Sequence, residues 1–221
     1  MTRPRFLLVA MLTHFFAAPL VAADLNYSGR SDIWENPFLS FGYNPKTNLV
    51  TGHLIALRTA PGRTDECKLV FAGRPGTNDS FSVKYKEEEG LYGRHDHSVA
   101  SISTESGKNI FQFKISKKEL AGDCDWILPF AAGSRMLAND DEITLRMKVP
   151  NTGNWIGVYV IKAKRSRFHS QPDNTAVQKT FVVAGDVVYV YEERPDWYFV
   201  RYEDGKSKTT GWIKKSDTVQ P

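Results

Sequence analysis

The chain is short of the residues and patterns that most chemistry needs. It has no Gly-x-Ser-x-Gly elbow, no His-Glu-x-x-His pair and no glycine loop that could cradle a phosphate. These absences remove the common hydrolase, zinc-protease and nucleotide-binding signatures. It has only two cysteines, Cys67 and Cys124, so no cysteine-rich metal knuckle can form. Charge of either sign is also scarce in net terms. The 221 residues carry +4 overall, and Arg3 and Arg5 supply two of those charges. A balance so near zero argues against nucleic acid as a partner. There is no internal repeat and no low-complexity segment. After the first two dozen residues no apolar run is long enough to span a bilayer.

Those first residues set the expected compartment. Arg3 and Arg5 make a positive start, Phe6 to Val21 an apolar stretch, and Val21-Ala22-Ala23 a small-residue site. This pattern predicts a secretory signal peptide over 1–23, cleaved after Ala23. The apolar run is short for a membrane span, and Pro19 interrupts it. No membrane anchor is expected after cleavage, and a periplasmic or secreted location is. In an oxidising compartment an isolated cysteine pair predicts a disulfide, Cys67 to Cys124. Asp123, Asp125, Asp65 and Glu66 flank the two cysteines and oppose thiolate formation, which weakens the alternative of a nucleophilic thiol.

What the mature chain has in plenty is hairpin grammar. Phe38–Tyr43 and Leu49–Arg58 flank the turn Asn44-Pro45-Lys46-Thr47-Asn48. Cys67–Ala72, Ser80–Tyr85, Ser98–Ser103 and Ile110–Ile115 follow as short strands, then Glu142–Val149 and Trp155–Ala163. Ser116 and Glu119 have capping-box spacing and predict a short helical turn. Strands at this rhythm predict an all-β chain. Residues 24–163 are expected to form an antiparallel sandwich or barrel with almost no helix. The basic run Lys162–Arg167 marks the expected boundary and is read as a solvated connection, with an anion contact as the alternative.

The last quarter carries the most specific pattern. Gly185-Asp186 opens an alternating strand with Val188 and Val190. Trp197-Tyr198-Phe199-Val200 makes a second, and Gly211-Trp212-Ile213 closes before Ser216-Asp217. This set resembles the bacterial SH3-like domain family over about residues 164–219. The resemblance implies a small barrel spanning 164–221, able to fold alone, which binds peptidoglycan or an envelope protein without catalysis. It makes Phe168, Tyr191, Trp197, Tyr198 and Trp212 groove or core candidates. Period two separates Trp197, Phe199 and Arg201 from Tyr198, Val200 and Tyr202, so one set is the more exposed.

Three functions stay open on these residues. The first is an exported, non-catalytic envelope-binding protein. The second is an inhibitor or immunity-type antagonist of a secreted hydrolase. The third is an enzyme of unfamiliar type using His95, Asp96 and His97. Extended, His95 and His97 point to one side and form a weak metal candidate that lacks a further ligand. The first is favoured, with no catalytic residue, no cofactor and no metal expected.

Overall fold

A computed structural model describes residues 29–30, 36–76, 80–87, 98–104, 110–120, 122–132, 141–149, 151–205 and 207–219. The leader 1–23 and the triplet His95-Asp96-His97 lie outside the described residues. The chain is all-β, in two antiparallel sheets.

The first sheet holds β1 (Gly29–Arg30), β2 (Phe38–Asn44), β3 (Leu49–Ala60), β4 (Arg63–Pro75), β5 (Ser80–Glu87), β6 (Ser98–Thr104), β7 (Ile110–Ser116), β8 (Glu142–Lys148) and β9 (Asn151–Thr152). Each strand from β1 to β7 pairs with the next in sequence, and β9 returns to pair with β1. This is one continuous meander rather than a two-sheet sandwich. It curls round its own core. Phe41 on β2 meets Phe111 on β7 at 4.8 Å between ring centroids, although five strand steps separate them in the sheet. The alternation seen in sequence decides which side faces in. Leu39 and Phe41, Leu54 and Ala56, Leu69 and Phe71, and Phe113 and Ile115 are all buried on the concave side. Burial at this density contributes about 25 cal/mol per Å² of apolar surface removed from water.

One end of this core is closed by a helix, α1 (Cys124–Ala131). The expectation of almost no helix did not place it, because the contiguous apolar run Trp126-Ile127-Leu128 suits a strand as well. Two facts make the helix possible. Cys124, Ile127 and Leu128 fall at the i, i+3, i+4 spacing that puts all three on one buried face. Pro129 costs one backbone bond in an element of only eight residues that ends two positions later. Cys67 on β4 and Cys124 are bonded, with their Cα atoms 4.8 Å apart, which ties the helix to the sheet. The turn expected from Ser116 is present as a 3-10 turn, Lys117–Glu119, but the Ser116 side chain makes no capping hydrogen bond.

The second sheet holds β10 (Gly157–Val160), β11 (Ser166–His169), β12 (Val177–Val182), β13 (Val187–Glu193), β14 (Trp197–Glu203) and β15 (Lys208–Lys214). Its order is β10-β13-β14-β15-β11-β12. The chain end returns to β10 through a bridge between Ile161 and Thr218 and a bond from Val219 N to Val160 O of 2.8 Å. The boundary expected at 163/164 therefore cuts this sheet. β10 pairs with β13 from Gly157↔Val190 to Val160↔Val187, so a fragment starting at 164 loses a whole strand.

The reason β10 belongs here is visible in its burial. All four of its residues are buried, because both faces are covered. Tyr159 joins the core of the second sheet, stacked on Tyr198 at 4.7 Å. Val158 packs the other way, with Trp155 and Tyr189. Its N–H donates to Thr51 Oγ1 on β3 at 3.0 Å. β10 is thus shared between the two sheets, and the outer face of the β2–β3 hairpin is its dock.

Candidate functional site

The five aromatics singled out by sequence go to three different places. Phe168 and Tyr198 are core, at 0% and 3% exposure, and neither lines a groove. The cause is register. Tyr198 pairs with Ile213 and shares its face with Val200, which opposes the core residue Val190. Tyr191 stands at a bulge in β13, where pairing shifts between Val190 and Glu192. It lines a cleft of about 530 Å³ between the β2–β3 turn and β13, beside Pro45, Thr47 and Ile156. Trp197 and Trp212 alone lie together on the outer face of the second sheet.

That outer face is an aromatic platform. Trp197 is half-buried, and the His169 ring meets it edge-on at 4.7 Å. Phe199, also half-buried, packs on Trp212 at 5.4 Å. The register explains the grouping, since Phe199 and His169 both oppose Trp212 across their ladders. Trp212 is the floor, at 9% exposure. Gly211 beside it faces inward, where a Cβ would come within 3.0 Å of the His169 carbonyl, so β11 can approach closely. Lys214 lies 5.9 Å from the Trp197 ring centroid.

The loop from Ser170 to Ala176 borders this platform and is fixed by its own hydrogen bonds. Asp173 Oδ1 accepts from Thr175 N at 2.8 Å and from Thr175 Oγ1 at 3.1 Å. These bonds hold the Asp173 carboxyl below its ordinary range, the backbone bond first. His169 Nδ1 lies 2.7 Å from the Asp173 carbonyl oxygen. A carbonyl only accepts, so Nδ1 carries the proton and Nε2 is the ring's acceptor when neutral. Neither His169 nor Phe199 is among the groove candidates the sequence singles out. The signal for Phe199 was present: once Val200 is placed in the core, period two puts Phe199 outside with Trp197.

The other half of the same outer face is occupied. Tyr189 meets Trp155 at 5.1 Å between rings, and Arg30 of β1 lies over Tyr189. Arg30 Nη1 donates to Glu203 Oε2 at 2.8 Å, and Arg201 Nε stands 2.8 Å from Oε1 as an ion contact without hydrogen-bond alignment. Lys208 Nζ is 3.6 Å from the same oxygen. Glu203 is 10% exposed and faces three cations from β1, β14 and β15. Burial on its own raises its pKa. The Arg30 hydrogen bond and charge, then Arg201 and Lys208, outweigh burial and hold it below the ordinary value. A depressed carboxyl stabilises the fold above its unfolded pKa, and that contribution is lost as pH falls through the folded value. We expect the melting temperature to drop between about pH 5 and 3, and Glu203→Gln to have a lower melting temperature at pH 7 with a flatter acid limb. Thermal melts at stepped pH test this. An acid limb equally steep in both proteins would remove Glu203 as its source.

Among the described residues no group of three or more His, Cys, Asp or Glu side chains could hold a metal. Compared with known proteins, the chain matches no family model, no curated protein and no solved structure.

Proposed function

We propose that this protein is an exported, non-catalytic binding protein of the bacterial cell envelope. Its second sheet holds the ligand, peptidoglycan or an envelope protein, on the platform of His169, Trp197, Phe199 and Trp212. One observation carries this reading. The outer face of the second sheet is buried against the first sheet at its β10–β13 edge, whereas over β14 the half-buried rings of Trp197 and Phe199 stand on a buried floor of Trp212 and His169 with nothing packed over them among the described residues. Aromatic rings offered on a rigid sheet beside a fixed loop suit a sugar ring or an apolar side chain of a peptide. The disulfide fits an oxidising compartment. The likeness of the last quarter to bacterial SH3-like domains supports the same role.

The test is a titration of the whole mature chain with soluble peptidoglycan fragments and with envelope proteins, followed by tryptophan fluorescence. Trp197→Ala is expected to keep the far-UV spectrum and to weaken binding by about 2 kcal/mol or more, the scale of a central aromatic contact. Binding that survives Trp197→Ala unchanged would move the ligand off this platform.

A further inference from the structure

We propose that the free edge of the second sheet, β12, is a docking site for an extended acidic segment of a partner protein, which adds to the sheet as a further strand. β12 is the last strand in its sheet and, among the described residues, pairs only with β11. Its second row of backbone N–H and C=O groups faces outward, a template for strand addition.

The side chains of this edge fit such a partner. Val177, Phe181 and Val183 are 47%, 42% and 41% exposed. Phe181 and Val177 oppose Arg167 and His169 across the ladder, on either side of a bulge, on the side opposite the buried Val182, and Val183 follows at the strand's end. Large apolar residues left in water on one side of an edge strand mark an interaction surface. The charge around them has one sign. Residues 162–183 carry Lys162, Lys164, Arg165, Arg167 and Lys179 against a single carboxylate, Asp173. That carboxylate is engaged by Thr175. Arg165 lies over the Phe181 ring at 4.1 Å, and Arg167 opposes Phe181 in register. Among the described residues Arg165, Arg167 and Lys179 have no carboxylate partner. The basic run that reads in sequence as a solvated connection leads into β11, the strand on which this edge pairs. Together these features select an extended segment alternating apolar and acidic side chains. A second copy of the chain is disfavoured, because antiparallel self-pairing would bring two sets of Arg165 and Lys179 together.

The probe is a fluorescein-labelled peptide of alternating Glu and Val, compared with an isomer that carries Pro at its centre. Pro keeps the charge and removes a ladder donor. On the whole mature chain, the alternating peptide is expected to bind about tenfold or more tightly than the Pro isomer, and the double variant Arg165→Glu with Lys179→Glu to lose about as much. Both substitutions are at exposed positions, so folding is not at risk. Hydrogen exchange over 177–182 is expected to slow when the peptide is bound. Equal binding of the two peptides would reduce the site to a general polyanion patch and overturn the proposal. So would preference for anionic vesicles, an absence of binding, or a dimer that protects β12 without peptide. Fragment binding at the Trp197 platform is a separate readout, and the double variant leaves it unchanged.

Discussion

Trp155→Ala is expected to cost about 3–5 kcal/mol and to split unfolding into two steps. Trp155 is 3% exposed and sits where the two sheets meet. Its ring packs on Tyr189 of the second sheet, and its Nε1 donates to the Phe41 carbonyl of the first at 2.7 Å. The slot it fills exists because two neighbours lack side chains. A Cβ on Gly153 would fall 1.8 Å from the indole, and one on Gly42 would fall 2.8 Å from its Cδ1. The Gly42 Cβ would also meet the backbone N of Gly157 at 2.6 Å, so β10 touches β2 backbone to backbone. Burying an indole removes roughly 150–250 Å² from water, worth about 4–6 kcal/mol at 25 cal/mol per Å². Val158 and Tyr189 are its buried partners in this cluster, with Val187 and Tyr191 packed beside them. What then remains between the sheets is largely polar. Among the described residues it includes Arg30 with Glu203, Asn44 Nδ2 with Glu193 Oε2 at 2.9 Å, and Val158 N with Thr51. Urea unfolding followed separately by tryptophan fluorescence and by circular dichroism tests this. Coincident transitions, with stability within about 1 kcal/mol of wild type, would show that Trp155 does not couple the sheets. Trp155→Phe separates the two contributions, since it keeps a ring and loses the bond to Phe41.

The same contact explains what the sequence hid. The hairpins from Phe38 to Ile115 are legible because each strand alternates between a wet face and a packed one. β10 breaks that rule. Gly157-Val158-Tyr159-Val160 is apolar without alternation, the mark of a strand buried on both sides. Read as one more strand of the first unit, it left the second short by a strand and placed the boundary too late. The aromatic platform was half legible. Val188, Val190, Val200 and Ile213 stand out as core, and period two then sends Trp197 and Phe199 outward and Tyr198 inward. Nothing local separates Tyr191 from Trp197, because the bulge after Val190 that turns Tyr191 toward the cleft is a property of the pairing. The helix α1 had its spacing written in Cys124, Ile127 and Leu128, but contiguous Trp126-Ile127-Leu128 suits a strand as well.

Replacing both Cys67 and Cys124 by Ala is expected to lower the stability of the first sheet by about 4 kcal/mol, the chain-entropy value for a loop of this length. The two residues are 57 apart in sequence, and both are buried, at 1% and 3% exposure. The bond holds α1 over the end of the core formed by β3, β4 and β8. Ile127 and Leu128, both at 0% exposure, depend on that placement. So does the stack in which Arg58 lies 4.4 Å from the Trp126 ring and 5.1 Å from Phe130. Alanine is chosen over serine because a hydroxyl at either buried position would add its own desolvation cost. The loss should appear in the transition of the first sheet and leave the Tyr198 and Trp212 environment of the second unchanged. With both sulfurs buried, reductant should act slowly on the folded protein and quickly once urea opens it. A thiol count under denaturing conditions without reductant is expected to read zero. A count of two would mean that the pair is not closed in the folded protein, and a double variant as stable as wild type would mean that α1 holds its place by packing alone.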